Sequence, residues 1–280
     1  MRFLEIKRRL RRFARNKLAL CGALVIGALI VTAFLAPVIA PYGPLDQNIR
    51  ARLSPPSASH LFGTDALGRD LLSRIIHGAR VSLLTGIFVV GSAALVGTAL
   101  GALAGYFGGW IDKVVMRTVD VFLAFPGMIL ALAIAGVLGP GLFNMMIALL
   151  ITAWPSYCRV VRSAVLSIRE QEYIESARAV GASNWRIIWR QVLPNCLPPV
   201  FVLASMGMGV VILAAAGLSF LGLGAQPPHP EWGSMLNAAK ANIMRAPYLS
   251  IFPGLAILFS VLGFNFLGDG LRDMFDPRSR

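Results

Sequence analysis

The sequence predicts an all-α integral membrane protein with six transmembrane helices, and three observations carry that expectation. Of 280 residues, 56% are hydrophobic and 14% charged, with a mean hydropathy of +0.70, which is too apolar for a soluble domain. Uncharged stretches long enough to cross roughly 30 Å of hydrocarbon as helices recur along the chain. They leave too little sequence for a separate soluble catalytic domain. Finally, Lys and Arg collect in alternate connections, as they do in the cytoplasmic segments of membrane proteins.

Residues 1–17 form an arm with eight basic residues and one acid. The arm supplies most of the net charge of +13, which therefore points to a membrane surface and not to nucleic acid. Span one, 18–40, contains no charge; it lacks a short apolar core followed by a small-residue cleavage site, so it reads as a retained helix. Span two covers 81–108. Its Gly97, Gly101 and Gly105 lie four apart on one helical face, where missing side chains let another helix approach closely. The 38 uncharged residues of 121–158 are too many for one crossing. The Gly139-Pro140-Gly141 break divides them into spans at 120–139 and 142–162. Two further spans, 197–223 and 251–268, flank a polar, proline-rich segment with Gln226-Pro227-Pro228 and Glu231-Trp232.

With the N-terminus inside, the inner segments hold nineteen basic residues and the outer ones seven, so both termini are placed in the cytoplasm. Arg69, Arg74 and Arg80 resist this pattern from the outside, partly offset by Asp65 and Asp70. The largest inner connection, 163–196, divides at Gly181. Upstream, 169–180 reads as a helix with Glu170, Glu172 and Glu175 early and Arg178 late, which complements the helix dipole, and Gly181 supplies its left-handed end. Downstream, Ser183 is the expected N-cap of a helix whose Trp185, Ile188, Trp189 and Val192 share a face, with Pro194 expected to end it.

Several chemistries are excluded by pattern. A GxxxxGK[ST] phosphate loop is absent, because none of Lys7, Lys17, Lys113 and Lys240 follows a glycine. HExxH and GxSxG are absent too, and His60, His77 and His229 are scattered, so neither catalysis nor a metal site is expected. Cys21, Cys158 and Cys196 show no CxxC spacing and read as packing residues. No ionisable residue lies at mid-span, and Asp120 and Asp269 sit at helix ends, so transport energy is expected from another subunit.

The run from Glu175 through Ser176 and Ala177 to Gly181, with Leu193-Pro194 twelve residues further on, resembles the "EAA" signature of ABC importer permeases. Ser176 replaces the alanine at its second position and Gln191 its isoleucine. Four other blocks point the same way: 60–70 with Ser73-Arg74, 218–224, 230–233, and 265–273 with 276–278. In order and over almost the whole chain, they are similar to the C-type permeases of dipeptide, oligopeptide and nickel ABC importers. The resemblance implies a type I ABC importer permease fold in the bacterial cytoplasmic membrane. It also implies a B-type permease partner, two cytoplasmic ATPase subunits and an external solute-binding protein. ATP and magnesium would be used by the ATPases, with no cofactor on this chain. Short peptides are the implied substrates, with nickel chelates the alternative within the family and a secondary carrier the alternative outside it. Glu175, Ser176, Ala177, Gly181, Ala182, Asn184, Leu193 and Pro194 fall where the family couples to its ATPase.

Outside the membrane, Asp65, Arg69, Asp70, Glu231 and Trp232 suit either a binding-protein docking surface or loop packing. In span five, Met206 and Met208 beside Gly207 and Gly209 suit either a pathway lining that tolerates varied solutes or helix packing.

Overall fold

A computed structural model describes residues 16–275; the basic arm, 1–15, and the last five residues lie outside them. Hydrocarbon offers a backbone no hydrogen-bond partner, so the apolar stretches fold as helices that satisfy their own amides and carbonyls. The helix α1, Lys17–Phe34, starts at Asn16, whose Oδ1 accepts from the amides of Leu18 and Ala19 at 3.1 Å. The Asn16 amide also donates to Asp273 at 3.0 Å, bringing the two ends of the described chain together.

Helix α2, Leu71–Phe107, runs for 37 residues and starts well before the expected position 81. Asp70 sets that start by accepting from the Ser73 amide at 2.8 Å and the Ser73 hydroxyl at 2.7 Å. A helix of this length spans about 55 Å, so its ends project beyond the hydrocarbon. Arg74 therefore lies in the helix, 5% exposed, and is not a loose loop charge that offends the orientation rule.

The third span is not the continuous helix expected over 120–139. It is a bent pair, α3 (Gly109–Leu123) and α4 (Gly127–Leu138), meeting at 89°. Pro126 causes the break, since it has no amide to donate and forces the preceding residue out of helical geometry. Five helices among the described residues are long and apolar enough to cross a membrane, and this pair supplies the sixth crossing when counted as one. The Gly139–Gly141 turn then leads into α5, Leu142–Arg169.

After α5 come the short α6, Glu172–Ala179, and α7, which runs unbroken over Asn184–Phe220. Here the expectation that Pro194 ends a separate short helix is corrected. Ile188–Val192 forms a π turn immediately before the proline. That wider turn gives the ring room against the carbonyl of Arg190, so the helix passes through Pro194; Pro198 and Pro199 lie in the α-helix that follows. An outer helix α8, Trp232–Ala239, and the last crossing α9, Tyr248–Phe275, complete the fold.

The packing centre is the contact of α2 with α5. A Cβ at Gly97 would lie 2.5 Å from Tyr157 Cβ, one at Gly101 2.5 Å from the Cys158 carbonyl, and one at Gly105 2.8 Å from Val165 Cβ. The glycine seam is thus a close helix contact that no larger residue fits. Gly101→Val is expected to cost about 1–3 kcal/mol through overpacking. The thermal unfolding midpoint of the purified protein in detergent checks this, with Gly91→Ala, where a Cβ meets nothing within 4 Å, not lowering the midpoint.

Candidate functional site

The inner connection folds into a compact bracket. In α6, Glu172 and Glu175 occupy the first turn and Arg178 the last, as the dipole favours. The helix ends in two bonds, Gly181 N–H to Arg178 O at 2.9 Å and Ala182 N–H to Ala177 O at 3.0 Å, with Gly181 at φ +79°. This pairing requires a left-handed residue just past the cap, which is why glycine stands there. Ser183 Oγ then accepts from the Arg186 amide at 3.4 Å and opens α7.

Which side faces outward follows from burial. Ile174, Ala177, Ile187 and Ile188 join the core, while Glu175, Ser176, Gly181 and Asn184 are exposed and Ala182 is half-buried. Val180, 84% exposed at the tip, is an apolar side chain that sequence reasoning did not single out, although its place directly before Gly181 marks it. Leu193 and Pro194 lie away from the tip, further along α7, on an apolar groove with Trp185 and Trp189. The bracket thus brings together six of the eight predicted coupling residues and leaves two on the shaft.

The bracket is tied to the last turn of α2. Asn184 Oδ1 accepts from the Tyr106 hydroxyl at 2.9 Å, and the Arg178 guanidinium sits 5.3 Å from the centre of the same ring. Trp185 meets Phe107 edge-on at 6.2 Å, and Arg169 donates to the Gly105 carbonyl at 3.0 Å. Tyr106 was another residue the sequence did not single out, because its role depends on a partner 78 positions away. Two more ion pairs, Arg162 to Asp112 and Arg159 to Asp120 at 2.8 Å, join α5 to α3 on this side.

The outer residues lie mostly inside. Asp70 is 2% exposed, Glu231 3% and Trp232 1%, so these side chains are packed beneath the outer loops of this chain. Asp70 caps α2 and pairs with His60 at 2.9 Å. Asp65 accepts from Arg69 Nε at 2.6 Å. Glu231 caps α8 through the amides of Gly233 at 2.9 Å and Ser234 at 2.8 Å. Burial pushes the Glu231 carboxyl up from its ordinary value, and those two amides pull against the shift. The Trp232 indole donates to the Ile75 carbonyl at 3.0 Å, its ring covering Gly78.

Met206 and Met208 separate. Met206 lines a cavity of about 380 Å³ between α4, α5 and α7, together with Thr152, Tyr157 and Gly207. Met208 is 8% exposed and packs on Gly86 of α2.

With this geometry in view, the comparisons with known proteins converge. Residues 97–280 match the family described as the binding-protein-dependent transport system inner membrane component, and residues 6–56 match the N-terminal transmembrane domain of oligopeptide transport permease C. The chain belongs to this family of transport permeases: it is a non-catalytic, multi-pass subunit of the bacterial inner membrane. It is 49% identical over 266 residues, 95% of this chain and 88% of the relative, to a dipeptide transport system permease of Alkalihalophilus pseudofirmus. A glutathione transport system permease of Pectobacterium atrosepticum is 47% identical over 269 residues, covering 96% of this chain and 89% of that one. The fold matches a chain in an inward-facing structure of the MetNI methionine ABC transporter, with a TM-score of 0.60 at 20% identity over 74% of this chain and 98% of that one.

The bracket's turn gives a direct test. Gly181→Ala meets no atom within 4 Å but places a side chain in left-handed backbone. Its expected cost is about 1–2 kcal/mol, with less for Gly181→Asn. Hydrogen exchange of the α6 amides should show faster opening in the alanine variant than in the asparagine variant.

Proposed function

We propose that this chain is the permease subunit of an ATP-driven importer that carries dipeptides or short oligopeptides into the cell by alternating access. It would pair with a B-type permease, receive peptide from an external solute-binding protein and be driven by two cytoplasmic ATPase subunits that use ATP and magnesium. The relatives that span nearly the whole chain, named for dipeptide and glutathione transport, support the substrate class.

One observation carries the coupling role. The exposed tip formed by Glu175, Ser176, Val180 and Gly181 belongs to a bracket continuous with α7, which runs unbroken for 37 residues. A partner that seats the tip and moves it on closing around ATP would move α7 as a rigid lever, with the contacts at Tyr106 and Phe107 as the fulcrum on α2. The side chains supply no step of covalent chemistry; they transmit displacement. Buried Ile174 and Ile187 hold the bracket to the core, so force at the tip is not dissipated in a loose loop.

Reconstitution of both permeases, the ATPases and the binding protein in proteoliposomes checks the reading. Peptide-loaded binding protein should stimulate hydrolysis, and peptide should accumulate inside. Glu175→Lys reverses a charge on the exposed tip without touching the core, so the assembled protein is expected to hydrolyse ATP while peptide uptake falls at least about tenfold. Uptake equal to the parent would remove the coupling role from this residue.

A further inference from the structure

Beneath α8, at the outer end of α2, lies a cavity of about 210 Å³ whose wall carries two guanidiniums. Arg69 is 9% exposed and Arg74 5%. Both turn to the same carboxylate oxygen: Arg69 Nε donates to Asp65 Oδ2 at 2.6 Å, and Arg74 Nε stands 3.7 Å from it. Arg74 Nη1 donates to the Pro44 carbonyl at 3.0 Å. Among the described residues, neither terminal nitrogen of Arg69 nor Nη2 of Arg74 has an acceptor.

The neighbouring acids are engaged elsewhere. Asp70 is held by Ser73 and His60, and Glu231 by the amides of Gly233 and Ser234. Two guanidiniums therefore share one carboxylate, and their remaining N–H groups are left to the cavity. The rest of the wall is mixed: Ser219, Ser234, Gln226 and Asn237 alternate with Gly222, Ala225, Pro227 and Ala238. The Asn237 side-chain amide makes no hydrogen bond among the described residues. The cavity reaches the exposed loop at Gln226, Pro227 and His229, on the outer face where solute arrives. A guanidinium presents its N–H groups as a planar fork that matches a carboxylate with two parallel bonds.

We propose that this cavity is a carboxylate-binding site, and that it receives the free C-terminal carboxylate of a short peptide on entry. The assignment rests on the peptide reading above. A terminal carboxylate is carried by every unmodified peptide whatever its sequence, so a fixed pair of arginines can read it while side chains vary. The cavity's size suits one terminal residue and not a whole oligopeptide, so the remainder of the peptide would extend outward past the Gln226–His229 loop.

The test is thermal unfolding of the full permease complex in nanodiscs, without binding protein, in the presence of glycylglycine, glycylglycine amide or acetate. Glycylglycine and acetate are expected to raise the midpoint, since a ligand that binds the native state stabilises it, and the amide is not. Arg69→Gln and Asn237→Asp should each abolish the shift. The second keeps both arginines and fills the site with a carboxylate of its own, so it separates loss of binding from loss of folding. In proteoliposomes the same Asn237→Asp complex should import glycylglycine about tenfold more slowly than the parent, as loss of a charge-assisted contact predicts. No shift with glycylglycine in the parent, an equal shift with its amide, or an undiminished shift in Asn237→Asp overturns the site. Peptide import by the parent tests the earlier reading by itself. If import occurs but the midpoints do not respond, this site fails; if the midpoints respond to acetate and glycylglycine but no peptide is imported, the transport reading fails.

Discussion

The close contact of α2 with α5 is the constraint on which the rest of the molecule depends. Three glycines one turn apart bring the two backbones nearer than any side chain would allow, with Gly101 facing the Cys158 carbonyl directly. In a bilayer, apolar surfaces gain little by leaving lipid for protein, so helix association relies on this kind of close packing. The contact sets the position of α2, and α2 is long enough to organise both ends of the bundle. Its inner turn holds the bracket through Gly105, Tyr106 and Phe107. Its outer turns hold Trp232 on the Ile75 carbonyl and over Gly78.

Prolines decide how motion could pass between these ends. At Pro126 the chain turns through 89° between α3 and α4. Pro194 follows a π turn, and there the helix continues. The same residue type thus breaks one element and is absorbed in others, where Pro155, Pro198, Pro199 and Pro253 lie inside helices. That difference makes α7 a single shaft from bracket to outer face, and it joins Leu193 and Pro194 to the shaft and not to the tip.

Charge is distributed by the same logic of burial. On the inner side, Arg159 and Asp120 pair while remaining exposed, where such a bond contributes little. On the outer side, Asp65, Arg69, Asp70 and Arg74 are drawn beneath the loops, where each missing partner matters. The buried outer polar layer caps α2 and α8, and it leaves guanidinium nitrogens facing a cavity.

Much of the fold was legible in the amino-acid order, because it depends on residues close together in the chain. Hydropathy marked the crossings, the four-residue spacing of Gly97, Gly101 and Gly105 marked the seam, and Gly181 with Ser183 marked the bracket's turn; each is a local signal that helical geometry converts directly into structure. The resemblance of the EAA-like run likewise pointed to the family later matched over residues 97–280. What tertiary structure alone decided involves partners far apart in sequence: Tyr106 with Asn184, Trp232 with Ile75, and two arginines folded beneath a loop more than 150 positions away. A charged residue reads as a surface group until packing covers it. Whether it is covered depends on the placement of whole helices, which no local pattern encodes.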